Sequence, residues 1–79
     1  MKIRKADEML RDIETVADIV GFELDGNKNY TYACQLVTNA DFEGRELTID
    51  EAEEFEDCTH NVRDQIMDFD FEAVKYLNY

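Results

Sequence analysis

Tyr30-Thr31-Tyr32-Ala33-Cys34-Gln35-Leu36-Val37-Thr38-Asn39-Ala40-Asp41-Phe42 is the stretch on which the fold class turns. Tyr30, Tyr32, Cys34 and Leu36 alternate as a half-buried strand would, and Tyr and Thr favour sheets. Ala33, Val37 and Ala40 are apolar as well, and at about 100° per residue all of these side chains share one broad sector of a helical wheel. Thr31, Gln35, Thr38 and Asn39 fill the opposite side. Asn29 stands where an N-cap belongs, and Gly44 lies just past the far end. The spacing predicts a helix over residues 30–42, and with it a mainly α fold, a small bundle of three to four helices. A short hairpin at about residues 22–37, giving an α+β fold, is the alternative that the Tyr and Thr content keeps open.

The flanks read more simply. Ala6, Met9, Leu10, Ile13, Val16, Ala17 and Val20 recur at the three-to-four spacing of one helix face, with charged residues between them and Gly21 at the C-cap position. A helix over residues 3–20 is expected. Asp25-Gly26-Asn27-Lys28-Asn29 is turn-rich and reads as a loop. Thr48-Ile49-Asp50-Glu51 is a capping box: the Thr48 hydroxyl accepts from the Glu51 amide, and the Glu51 carboxylate reaches back to the Thr48 amide. Asp50 and Glu51 also complement the positive end of the helix dipole. Beyond the box, Ala52, Phe55, Thr59, Val62, Ile66 and Phe69 form a stripe, with Cys58 at its margin, predicting a third helix over residues 49–67. A short fourth helix capped by Asp70, with Val74 and Leu77 facing inward, is expected to follow. One long helix continuing to Leu77 is the alternative. Proline is absent, and residues 1–79 read as a single acidic helical domain.

Charge is distributed unevenly. Residues 1–40 carry 7 acids and 5 bases, whereas residues 41–79 carry 13 acids and 3 bases, out of a net charge of −12. Self-repulsion on this scale opposes compaction, and its simplest use is to attract a basic partner. Hydrophobic residues make up 44 % of the chain, with 5 Phe and 4 Tyr, enough for a core, so acidity does not imply disorder here. Cys34 and Cys58 are too few for a disulfide framework. The basic start meets Asp7 and Glu8 where a secretory signal needs an apolar run, and no stretch approaches a membrane span of about 18 apolar residues. A cytoplasmic protein with reduced thiols is expected.

Catalytic and cofactor chemistry finds little footing, and no enzyme, metal site or cofactor is expected. Cys58 and the single histidine, His60, are two residues apart and point in different directions on a helix. Asp25-x-Asn27-x-Asn29 matches the first ligand positions of an EF-hand, but Tyr30 replaces the required glycine and Leu36 the final glutamate. Asp68-x-Asp70-x-Glu72 also lacks that glycine. No glycine-rich phosphate loop exists, and the charge disfavours direct contact with nucleic acid. Residues 16–22 resemble the turn of AraC-type helix-turn-helix regulators over seven positions, with no basic recognition helix following.

Two functional readings remain. In the first, Asp50, Glu53, Glu54, Asp57, Asp64 and Asp68 lie on the third helix away from its apolar stripe and substitute for phosphates. A rise of ~1.5 Å per residue spreads them over about 27 Å. Such a rod suits the basic groove of a nucleic-acid-processing protein, whose Lys and Arg bind carboxylate as they bind phosphate. In size, acidity and lack of catalytic apparatus the chain resembles small phage-encoded inhibitors of host defence nucleases, anti-CRISPR and anti-restriction proteins among them, and loosely the immunity proteins of nuclease toxins. The resemblance is one of class, without a shared motif, and it implies a cytoplasmic nuclease inhibitor. In the second reading the chain is a helical adaptor or oligomer subunit, a homodimer included, which binds through Tyr30, Tyr32, Phe69, Phe71, Tyr76 and Tyr79 while the acids solubilise it.

Overall fold

A computed structural model describes residues 1–77, and these form three α-helices and one 3₁₀ segment: α1 (Ile3–Val20), α2 (Lys28–Phe42), α3 (Ile49–Phe69) and the 3₁₀ segment Phe71–Lys75. The fold is a small mainly α bundle. Residues 22–37 form no hairpin, because the helical phase of Ala33, Leu36, Val37 and Ala40 buries all four at once, whereas a strand would turn half of them to solvent. Tyr79, expected as a surface anchor, lies outside the described residues.

The core divides into two clusters stacked along the bundle. Ala6 and Leu10 of α1 meet Leu36, Val37 and Ala40 near the end of α2, together with Leu47 and Phe55. Ile13, Val16 and Ala17 meet Val62 and Ile66 of α3 and Ala73 of the 3₁₀ segment. The start of α1 thus packs against the end of α2 and the start of α3, so the helices run up, down and up. Tyr30, at the top of α2, packs against both clusters. The molecule measures 37 × 24 × 17 Å, and the 21 residues of α3, about 31 Å of helix, set its long axis.

The connections arise from local chemistry. Gly21 adopts φ 78°, and both its amide and that of Phe22 return to the Ala17 carbonyl, ending α1. The N-cap of α2 is Asn27 rather than Asn29: its side chain accepts from the Tyr30 amide, so the helix begins two residues before the expected position. Gly44 (φ 68°) turns the chain after α2, and buried Leu47 then exchanges two 3.0 Å bonds with Met1, one from each backbone nitrogen to the other residue's carbonyl. The capping box forms as expected, with Glu51 N–H on the Thr48 hydroxyl at 3.2 Å and Thr48 N–H on the Glu51 carboxylate at 2.9 Å.

The C-terminal end departs most from expectation. α3 continues to Phe69, two residues past the expected stop, and Asp70 then takes an extended conformation. Asp70 does cap the next segment, accepting from the Glu72 amide at 3.0 Å, but that segment is a 3₁₀ turn and not an α-helix. Three residues per turn changes which side chain faces in. Ala73 is fully buried, Leu77 is half-buried against the second cluster, and Val74, expected inward, is 50 % exposed. Phe69 also leaves the stripe: it touches Phe22 edge-on at 5.5 Å and remains 58 % exposed.

Candidate functional site

Phe55, Thr59, Val62 and Ile66 are the buried residues of α3, and they fix which side of this helix faces solvent. With that face pinned to the core, Asp50, Glu53, Glu54, Asp57, Asp64 and Asp68 fall within a sector roughly 100° wide on the far side, at ~100° per residue. All six are exposed. The six therefore share one outer side of the longest helix, interrupted by Asn61 between Asp57 and Asp64.

Its side chains differ in what they touch. Glu54 accepts a 2.7 Å hydrogen bond from the Tyr32 hydroxyl, which ties α2 to α3 across the surface. That hydrogen bond, made by the protonated phenol, is the main reason the Tyr32 hydroxyl is pushed above its ordinary range. Asp64 lies 3.5 Å from His60 Nε2, one turn back on the same helix. Asp50, Glu53, Asp57 and Asp68 form no ion pair among the described residues.

The arginine beside the start of α3 is committed elsewhere. Arg45 grips Glu51 through both nitrogens of its fork, at 2.6 and 3.1 Å, and also holds Glu43 at 2.8 Å. It braces the base of α3 and makes no ion pair with the six outer carboxylates. Sequence reading found Glu51 as half of the capping box and missed Arg45, because a contact across the α2–α3 turn follows no helical period. Tyr32 was noted only as an aromatic residue. Its partner could not be read without the relative placement of the two helices.

Neither cysteine sits where an activated nucleophile would. Both thiols are half-buried, and burial is the first cause pushing each above its ordinary range. Glu14 and Asp7 add to the effect at Cys34, partly offset by the Tyr30 hydroxyl, and Asp57 and Glu54 add at Cys58. Nucleophilic cysteines have the opposite environment. Among the described residues no three His, Cys, Asp or Glu side chains converge to hold a metal ion. Asn27, from the EF-hand-like spacing, spends its oxygen on the Tyr30 amide and its nitrogen on Gln65 at 2.7 Å. No helix among them is long and apolar enough to cross a membrane.

The apolar surface is concentrated at the ends of the bundle. Phe42, between Asp41 and Glu43, is 91 % exposed, and Phe71, between Asp70 and Glu72, is 83 % exposed. No protein-family model, curated protein or solved structure matches this chain.

Proposed function

We propose that this chain is a non-catalytic inhibitor that occupies the basic nucleic-acid-binding groove of a nucleic-acid-processing protein, its α3 carboxylates taking the places of phosphates. The observation supporting this reading is the outer face of α3: six exposed carboxylates on one side of one rigid helix, four of them with no cation partner among the described residues. Duplex DNA presents a phosphate about every 3.4 Å per strand, so the ~27 Å over which the six carboxylates are spread is about the length of eight phosphates. A basic groove supplies the countercharge that the molecule lacks, relieving the self-repulsion of its acidic half. The class of target is a nuclease or similar DNA- or RNA-handling protein in the cytoplasm, as for phage-encoded anti-CRISPR and anti-restriction proteins.

The test uses the full chain immobilised in an extract of its native host, with retained proteins identified by mass spectrometry. The expected partner is a nucleic-acid-processing protein, released both by salt and by added nucleic acid. Glu53→Lys/Asp57→Lys/Asp68→Lys, which disturbs no ion pair, abolishes retention while circular dichroism stays unchanged. Retention that survives about 1 M salt, where the Debye length is about 3 Å, overturns the proposal.

The exposed rings of Phe42 and Phe71 favour a second reading, a helical adaptor or oligomer subunit. It predicts retention that ignores salt and nucleic acid and falls when those rings are removed.

A further inference from the structure

The carboxylate face of α3 does not end at solvent but runs into aromatic side chains. Asp68, Phe69, Asp70, Phe71 and Glu72 alternate acid and ring. The two rings flank the residue at which α3 gives way to the 3₁₀ segment. Their backbone is fixed: the Asp70 amide donates to the Ile66 carbonyl at 2.8 Å, the Asp70 carboxylate accepts from Glu72, and Ala73 anchors the segment in the core. Phe69 rests edge-on against Phe22, which holds one ring plane in place while more than half of its surface stays open. Phe71 has almost its whole ring in water. The segment thus presents two rings between charges from a hydrogen-bonded backbone.

A second copy of this chain is a poor occupant for that surface. Each copy carries −12, and pairing these ends would bring Asp68, Asp70 and Glu72 of both copies together. An anionic membrane surface is repelled for the same reason. Charge complementarity selects a partner whose aromatic or apolar platforms are bordered by Lys and Arg. Grooves for single-stranded nucleic acid have this composition: cations track the backbone, and aromatic side chains stack on the bases. Duplex grooves hold their bases paired and stacked inside the helix, leaving no free ring faces to replace.

We propose that residues 68–72 imitate single-stranded nucleic acid, Phe69 and Phe71 standing in for bases and Asp68, Asp70 and Glu72 for phosphates, so that the target groove of the inhibitor is a single-strand-binding one. This rests on the reading of the α3 face as a nucleic-acid mimic and narrows it to one class of groove.

The experiment measures release of the retained partner from the immobilised chain by single-stranded oligothymidine and by a duplex of equal length. The single strand is expected to act at concentrations about tenfold lower. Phe71→Ser, at a site too exposed to affect folding, is expected to weaken partner binding by about tenfold, the scale of one base-stacking contact, with the salt dependence intact. Phe42→Ser, removing an isolated ring at the opposite end, is expected to leave affinity unchanged. Equal competition by the duplex, or Phe71→Ser binding as the parent does, overturns the single-strand inference and leaves the carboxylate reading standing. An equal loss in Phe42→Ser also overturns it, since the rings would then act only as general apolar surface. If neither nucleic acid releases the partner, the mimic reading itself fails and takes this inference with it. Sedimentation of the free chain supplies the last outcome: a dimer lost in Phe71→Ser assigns the surface to a second copy and overturns the inference.

Discussion

Arg45 and Glu51 meet fork to fork, with Nη1 on Oε1 at 2.6 Å and Nη2 on Oε2 at 3.1 Å, while Oε1 also accepts the Thr48 amide at 2.9 Å. One carboxylate therefore closes the capping box of α3 and joins that helix to the turn after α2. The pair holds the Glu51 carboxyl down at about 2, the Arg45 hydrogen bond first and the Thr48 amide second. A folded value below the ordinary 4.5 gives stability that is present above pH 4.5 and is lost as pH falls toward 2. Glu51→Gln removes this dependence. Urea denaturation at neutral pH should show the parent more stable than Glu51→Gln, and the difference should shrink steadily below about pH 4.5. A gap that stays constant down to about pH 2.5 would mean that Glu51 acts without its charge.

Phe55 and Ile66 sit in different core clusters, and both are fully buried. Phe55→Ala or Ile66→Ala should cost about 2–5 kcal/mol. A domain of this size holds only about 3–5 kcal/mol in total, so either variant should be largely unfolded by circular dichroism at about 37 °C. Phe69→Ala, on the same sequence stripe but more than half exposed, should stay folded with a much smaller loss in urea.

The contrast between Ile66 and Phe69 marks where the sequence stops being readable. Helix α1, the capping box and the stripe from Phe55 to Ile66 were legible because each depends on spacing within one segment. The choice of helix for residues 30–42 also came from phase, since a strand would put Ala33 and Val37 on the face opposite Leu36 and Ala40, whereas a helix gathers all four in one sector. Asn27 rather than Asn29 is the cap, and both residues also hydrogen-bond to α3, Asn27 donating to Gln65 at 2.7 Å and Asn29 accepting from Asn61 at 3.4 Å, tertiary contacts invisible to local pattern. Phe69 and Val74 kept the apolar period but are at least half exposed. Ala73, a smaller residue, took the inward place when the chain tightened to 3₁₀. The six carboxylates were readable as one face because the core stripe fixes the rotation of α3. Arg45 and the Tyr32–Glu54 bond join different segments and were not.

Gly21 has φ 78°, with nothing within 4 Å of the place where a Cβ would stand. Gly21→Ala should therefore cost only the left-handed backbone penalty, roughly 1–2 kcal/mol, with no steric addition. Gly21→Asn should recover part of that loss, since Asn tolerates this conformation. Thermal denaturation of the three proteins should rank Gly above Asn above Ala. Equal midpoints for Gly and Ala would show that α1 ends without the left-handed turn.

The carboxylates of α3 repel one another along the helix as well as attracting a partner. Asp50 and Glu54, Glu53 and Asp57, and Asp64 and Asp68 are each four residues apart, the spacing at which like charges face each other. Each pair should destabilise the free helix by roughly 0.2–0.5 kcal/mol at low ionic strength. Adding salt to about 0.5 M shortens the screening length to a few ångströms and should raise the melting temperature of the parent. Glu53→Gln/Asp57→Asn/Asp68→Asn abolishes two of these repulsive pairs without touching an ion pair, so it should melt higher than the parent at low salt and respond less to added salt. The same substitutions remove half of the proposed phosphate mimics and should weaken partner binding, chiefly by slowing association. Gain of stability with loss of binding is the outcome expected of residues kept for an interaction at the expense of the fold. Stability unchanged in both salt and variant would show that the face is already screened by solvent, and binding unchanged beside it would leave these carboxylates no role in recognition.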